Sequence, residues 1–197
     1  MKRSGILMLI AVLLVAVVLA GCGGDSNKGG QSGSQSARNL PEVTTQQAEQ
    51  AMSDAMLVSA LSLFLAFSAE EGDTSVSSED GALTLAWDEQ ADFTSGVGTY
   101  TITMKEYSVP EDDPFGAEYN GYTLDGTVEM GSSDGATTTM KMNLDTRHED
   151  AEAYPVQLIE MELAGIQSDP DAMPEGYIRI NGREMEFDDL ASAFQGE

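Results

Sequence analysis

One cysteine (Cys22), one tryptophan (Trp87), one histidine (His148) and nine lysines and arginines stand in a chain of 197 residues. Each scarcity excludes something. A single thiol forms no internal disulfide and no cysteine-rich zinc site. Nine basic residues against 34 acidic ones give a formal charge of −25, which excludes a basic footprint for nucleic acid. One histidine leaves a single candidate general base of that type. What is present suffices for one folded domain: 41% of the residues are apolar, enough for a core.

The amino terminus has three zones. Lys2 and Arg3 form a positive start, Ile6 to Val18 is an almost unbroken aliphatic run, and Leu19-Ala20-Gly21-Cys22 closes with small residues. A membrane-spanning helix needs about 20 apolar residues. The run from Ile6 to Ala20 falls short of that before Gly23, Gly24 and Asp25 follow, as in the apolar region of a secretion signal.

Leu19-Ala20-Gly21-Cys22 resembles the lipobox of bacterial lipoprotein precursors, a likeness confined to Met1–Cys22. The resemblance implies cleavage between Gly21 and Cys22. It also implies a diacylglyceryl group on the Cys22 thiol and an acyl chain such as palmitate on the new amino group. Residues 1–21 are then a lipoprotein signal peptide. One acyl chain binds a membrane marginally, and two or three hold it stably at about 0.8 kcal/mol per buried CH₂. By the sorting rule that accompanies the family, Gly23 in place of an aspartate permits delivery to the outer membrane of a two-membrane cell. In a single-membrane cell the anchor implies the outer face of the plasma membrane.

Residues 23–38, GGDSNKGGQSGSQSAR, offer nothing to a core and read as a tether running from Cys22 to residue 40, with an r.m.s. span of about 20–24 Å. Pro41 to Ala69 reads as one long helix. Pro41 suits a first helical position, Thr44-x-x-Gln47 reads as an internal capping box, and Gly72 suits a stop. Its second half, Ala55 to Phe67, is apolar nearly all round, which predicts enclosure by protein.

From Gly81 the hydrophobic period changes to two. Leu83, Leu85 and Trp87 share one face, as do Tyr100, Ile102 and Met104, then Tyr122, Leu124, Val128 and Met130. Met140, Met142 and Leu144 follow, then Ile159, Met161 and Leu163, then Ile178 and Ile180, and finally Met185 and Phe187. Threonine and acidic residues fill the other face, the pattern of an antiparallel sheet buried on one side. A two-residue turn at Asn181-Gly182 sets Ile178 opposite Met185 and Arg179 opposite Glu184, so like meets like and charges pair. An odd loop at Gly131–Gly135 sets Leu124 opposite Met142, and Gly126 reads as a bulge.

Catalytic patterns are sparse. Gly131-Ser132-Ser133-Asp134-Gly135 fits G-x-S-x-G, but that motif needs a strand before it and a helix after it, and here both flanks alternate as strands. Gly24-Asp25-Ser26 lies in the tether. His148 sits in the charged turn Arg147-His148-Glu149-Asp150 and reads as an exposed loop histidine. Two acidic loops, Glu111-Asp112-Asp113 with Glu118 and Asp169, Asp171 with Glu175, suit a hard cation chemically but lack EF-hand spacing. No catalytic, metal or cofactor site is assigned.

Removing residues 1–21 leaves 7 basic residues against 34 acidic ones. Such a surface repels nucleic acid and anionic headgroups, within a Debye length of about 8 Å at physiological salt. The expectation is an α+β, β-dominated domain over residues 41–197. A long N-terminal helix (41–69) packs on a curved antiparallel meander of about six to eight strands (82–187), or an open barrel. The chain is expected to be a non-enzymatic envelope lipoprotein held to the membrane through Cys22, with a binding or structural role towards a protein or lipid partner. The alternative is a carrier that encloses a lipid or acyl chain. Met52, Met56, Phe64 and Phe67 would line its ligand space, by architectural likeness to half-barrel lipid and lipoprotein carriers of the bacterial envelope.

Overall fold

The computed structural model describes residues 40–89, 91–92, 97–109, 119–135, 137–167 and 175–186. The signal peptide, Cys22 and the tether lie outside the described residues, as do Glu111, Asp112, Asp113, Glu118, Asp169, Asp171 and Phe187.

Helix α1 spans Thr45–Ser62 and passes into a 3-10 segment, Leu63–Ser68. It begins later than Pro41. Thr44 is itself the N-cap: its hydroxyl accepts from the Gln47 N–H at 3.3 Å, and the Gln47 Oε1 accepts from the Thr44 N–H at 2.9 Å. The capping box is therefore terminal, because Thr44 stays extended and the Thr44 and Gln47 side chains each satisfy an amide that no helical turn reaches. Pro41 to Val43 precede the helix as a lead-in without regular secondary structure, with Val43 buried.

Ala48, Ala51, Ala55, Ser59 and Ser62 make a stripe of small residues on the buried side of α1, which lets the sheet approach closely. The two serines return their hydroxyls to the carbonyls of Ala55 and Val58. By length and composition Thr45–Ser68 is apolar enough to cross a membrane, yet 56% of its most apolar window is buried inside this fold.

Among the described residues, eight antiparallel strands follow in sequential order: β1 Ser75–Ser77, β2 Leu83–Trp87, β3 Gly98–Tyr107, β4 Thr123–Ser132, β5 Thr137–Arg147, β6 Leu158–Gln167, β7 Glu175–Ile180 and β8 Arg183–Met185. Each pairs with the next. The sheet stays open, with β1 and β8 as its edges, and each edge strand is only three residues long. Short edges blunt edge-to-edge association. The protein is α+β and strand-dominated, as the hydrophobic period predicts.

Leu85, Ile102, Leu124, Val128, Leu144, Ile159, Ile178 and Ile180 are fully buried on one face and join the buried side of α1 in one core. The helix runs across the strands. Its first turn reaches the β5–β6 loop through a bond from the Gln47 side chain to the Ala153 carbonyl. Its middle meets the start of β4 through Asp54, and its 3-10 end packs on β1 and β2.

The β7–β8 turn is as expected. Ile178 faces Met185 and Arg179 faces Glu184, with the ion pair at 3.4 Å. Asn181 and Gly182 both have positive φ (50° and 77°), the geometry of a type I′ hairpin.

One register expectation is corrected. Leu124 pairs with Thr146 rather than Met142, and Val128 takes Met142. The hairpin turn lies later along the chain than the expected one: Asp134 Oδ1 accepts from the Thr137 N–H at 2.8 Å and the Ser132 hydroxyl accepts from the Gly135 N–H at 2.9 Å. These side-chain acceptors hold the turn. The slip is an even number of residues, so every side chain keeps its face.

The bulge also lies elsewhere. The extra residue is in β3, between Met104 and Tyr107, where Glu106 has φ 50°. Gly126 sits opposite Met104 on one side and Leu144 on the other, with φ 139°. A Cβ at Gly126 would fall 2.2 Å from the Asn143 carbonyl oxygen, so the glycine permits close backbone approach.

Outward-facing residues form cross-strand rows. One row runs Ser77, Thr84, Thr103, Thr127, Asn143, Glu160, Arg179, Glu184. Ion pairs Lys141–Glu162 (3.5 Å) and Arg147–Glu106 (2.7 Å) lie on the same exposed side.

Candidate functional site

The most concentrated chemistry lies where the middle of α1 meets the start of β4 and the β5–β6 loop. Asp54 is the only carboxylate among the described residues that is fully buried. It projects from α1 and accepts three hydrogen bonds: from the Asn120 N–H (3.1 Å), the Asn120 side-chain amide (2.8 Å) and the Tyr122 N–H (3.4 Å). Burial pushes its pKa up from 3.8 to about 6, against the opposing pull of the Asn120 and Tyr122 hydrogen bonds.

His148 lies just past the end of β5. It is half-buried, a correction to its reading as an exposed loop residue. Its ring stacks on Tyr154 (centroids 4.0 Å apart) and meets Tyr122 edge-on at 5.4 Å. Tyr122 and Tyr154 meet edge-on at 5.8 Å, closing an aromatic triangle. The imidazole Nδ1 accepts from the Asp150 N–H at 2.9 Å, so Nε2 carries the proton and donates to the Asn120 carbonyl at 2.7 Å. Gly121 makes room for this bond: a Cβ there would lie 3.0 Å from Nε2.

Asn120 is the junction. Its amide groups serve Asp54 on the helix while its carbonyl serves His148 after β5. Two tyrosine hydroxyls are buried beside it. Those of Tyr119 and Tyr122 lack a hydrogen-bond partner among the described residues, and the Tyr122 hydroxyl faces the Val156 backbone without reaching hydrogen-bond geometry. Burial and the Asp54 charge push both phenols well above the usual tyrosine range. Beside the cluster, a pocket of about 250 Å³ opens between Asp145–His148 and the segment Ala151–Gln157, with Arg147, His148 and Tyr154 on its wall.

The chemistry available here is that of a polar tie inside an apolar contact. Asp54 and His148 spend their acceptors and donors on backbone amides, a carbonyl and the Asn120 amide. A proton transfer to an outside molecule would first have to break one of those bonds.

The residues singled out in the sequence separate. Met52 and Met56 are buried in the core, whereas Phe64 and Phe67 are each 41% exposed on the 3-10 segment, so the four do not share one environment. Of the G-x-S-x-G match, Ser132 ends β4 and Asp134 lies in the β4–β5 hairpin loop, with a strand rather than a helix on the far side. Among the described residues no three acidic, histidine or cysteine side chains converge on a metal-sized space. Sequence reasoning missed Asp54, Asn120 and Tyr154. Asp54 does leave a signal: it is the one charged residue between Glu49 and Glu70, directly before the apolar half of a helix. Comparison with family models, with curated proteins and with solved structures returns no match for this chain.

Proposed function

We propose that this chain is an exported bacterial envelope lipoprotein, held to a membrane by acyl chains on Cys22, with a non-enzymatic binding or structural role. The observation that carries the reading is Leu19-Ala20-Gly21-Cys22, placed directly after a short apolar run with Lys2 and Arg3 ahead of it. Two or three acyl chains make such an anchor stable, whereas one does not. The anchored body carries a large negative charge, so it stands off anionic headgroups and reaches partners through its tether. The site is the outer membrane where the host has one, and otherwise the outer face of the plasma membrane.

The test is metabolic labelling with an alkyne fatty acid, followed by the intact mass of the natural product. The expected mass is that of residues 22–197 plus a diacylglyceryl group and an amide-linked acyl chain. Cys22→Ser should abolish labelling and move the body to the soluble fraction. A product that retains residues 1–21, or that carries a free thiol, overturns the reading.

A further inference from the structure

Two of the three asparagines among the described residues precede glycine: Asn120-Gly121 and Asn181-Gly182. Both use their side-chain amides to join α1 and its lead-in to the sheet. Asn181 Oδ1 accepts from the N–H groups of Gln157 (2.8 Å) and Leu158 (3.0 Å), while its Nδ2 donates to the carbonyls of Pro41 (3.0 Å) and Pro155 (3.1 Å). Two donors on one side and two acceptors on the other fix the orientation of the amide. Asn120 Nδ2 donates to Asp54 on α1 at 2.8 Å. Among the described residues, further side-chain bonds from α1 to the sheet and its loops run from Gln47 to Ala153 and from the Asn120 and Tyr122 amides to Asp54.

We propose that Asn181 and Asn120 are deamidation sites whose conversion to aspartate or isoaspartate unlatches helix α1 from the sheet. The reaction needs only water. The backbone nitrogen of the following glycine loses its proton and adds to the asparagine Cγ. The Cγ–Nδ2 bond breaks and ammonia leaves. Water then opens the five-membered imide at either carbonyl, giving aspartate or isoaspartate with no change of oxidation state. Glycine favours the attack because no Cβ obstructs it and its dihedrals are free; deamidation is one reason asparagine counts as a thermolabile residue.

The consequence follows from the contacts. At position 181 a carboxylate oxygen replaces Nδ2, so two donors vanish and an anion sits against the Pro41 and Pro155 carbonyl oxygens. At position 120 a second carboxylate faces the buried one of Asp54, an arrangement in which both cannot ionise freely. Isoaspartate at 181 also lengthens the backbone of a two-residue turn, which removes the pairing of Arg179 with Glu184. The ladders of β3 to β6 involve neither amide, so the sheet outlasts the latch. The folded state slows the reaction, since the amide must leave its hydrogen bonds before Cγ can meet the glycine nitrogen.

The experiment ages the full-length chain in detergent micelles at mildly alkaline pH, with peptide mapping and hydrogen exchange at intervals. The expected result is a gain of about one dalton at Asn181 or Asn120 and none at Asn143, faster in urea than in the folded state. Exchange over residues 41–62 should then rise about tenfold or more while Val128 and Met142 stay protected. Freshly made Asn181→Asp should reproduce that pattern. If Asn120→Asp does not fold, the aged natural chain and Asn181→Asp still decide the matter. Modification with unchanged exchange over 41–62 overturns the proposal, and so does an aged chain in which Asn143 is altered as fast as the two Asn-Gly sites. The outcome does not depend on lipidation at Cys22.

Discussion

The Asn120 side-chain amide donates to the Asp54 carboxylate at 2.8 Å, linking the middle of the helix to the entry of β4 across 66 positions of sequence. Around this bond the molecule holds a buried acid, a half-buried imidazole and three tyrosines in an otherwise apolar contact.

Asp54 should make stability fall as pH rises through the acid range. Its pKa is 3.8 when unfolded and about 6 when folded, so between those values the native state binds the extra proton. The contribution is fully present below pH 3.8 and lost above about 6, amounting to about 3 kcal/mol at 1.36 kcal/mol per unit. Other carboxylates move in their own directions, so the measurement is a difference. Urea unfolding of the natural chain and of Asp54→Asn across pH 4 to 7 should show the natural chain losing ground to the variant as pH rises. A constant gap would mean that Asp54 stays ionised throughout.

Thr44→Ala removes the acceptor for the Gln47 N–H and the hydroxyl half of the capping box. The expected cost is about 1 kcal/mol, read as a lower urea midpoint with an unchanged slope. Thr44→Ser should recover most of it, because the oxygen is what the helix end requires.

Gly126→Ala places a methyl group 2.2 Å from the Asn143 carbonyl oxygen on a backbone with φ 139°. Strand β4 must shift, and both its ladders shift with it. The expected loss is about 3 kcal/mol or more, from overpacking and backbone strain together. Gly182→Ala meets nothing within 4 Å and should cost less than half of that.

Glu162→Gln removes the partner of Lys141, an exposed pair at 3.5 Å. Stability should change by less than about 0.5 kcal/mol, with the small effect vanishing at high salt. A loss several times larger would show that the outer face carries more of the fold than its exposure suggests.

Much of the sheet was legible because its signal is local. The described strands from Leu83 to Met185 alternate, with most apolar positions on one face buried, and Asn181-Gly182 dictates its own pairing through two positive φ angles. Register was legible only up to parity. A slip of β5 along β4 by an even number of residues keeps every apolar residue inside, so hydrophobicity cannot choose among such slips; Asp134 and Ser132 choose by bonding to the loop backbone. The bulge was placed on the wrong strand for a related reason: Gly126 marks close approach, and the extra residue it accommodates belongs to its neighbour.

By itself the sequence determined the class of fold, the buried face of strands β2 to β8 though not the presence of β1, the position of the capping box and the resemblance of its first 22 residues to a lipoprotein leader, because each depends on residues a few positions apart. Only the tertiary structure decided that Asp54, Asn120 and His148 meet, that Asn181 holds Pro41, and that Phe64 and Phe67 part from Met52 and Met56. Those contacts join residues up to 140 positions apart. No periodicity encodes them, because they arise where one helix crosses the ends of several strands.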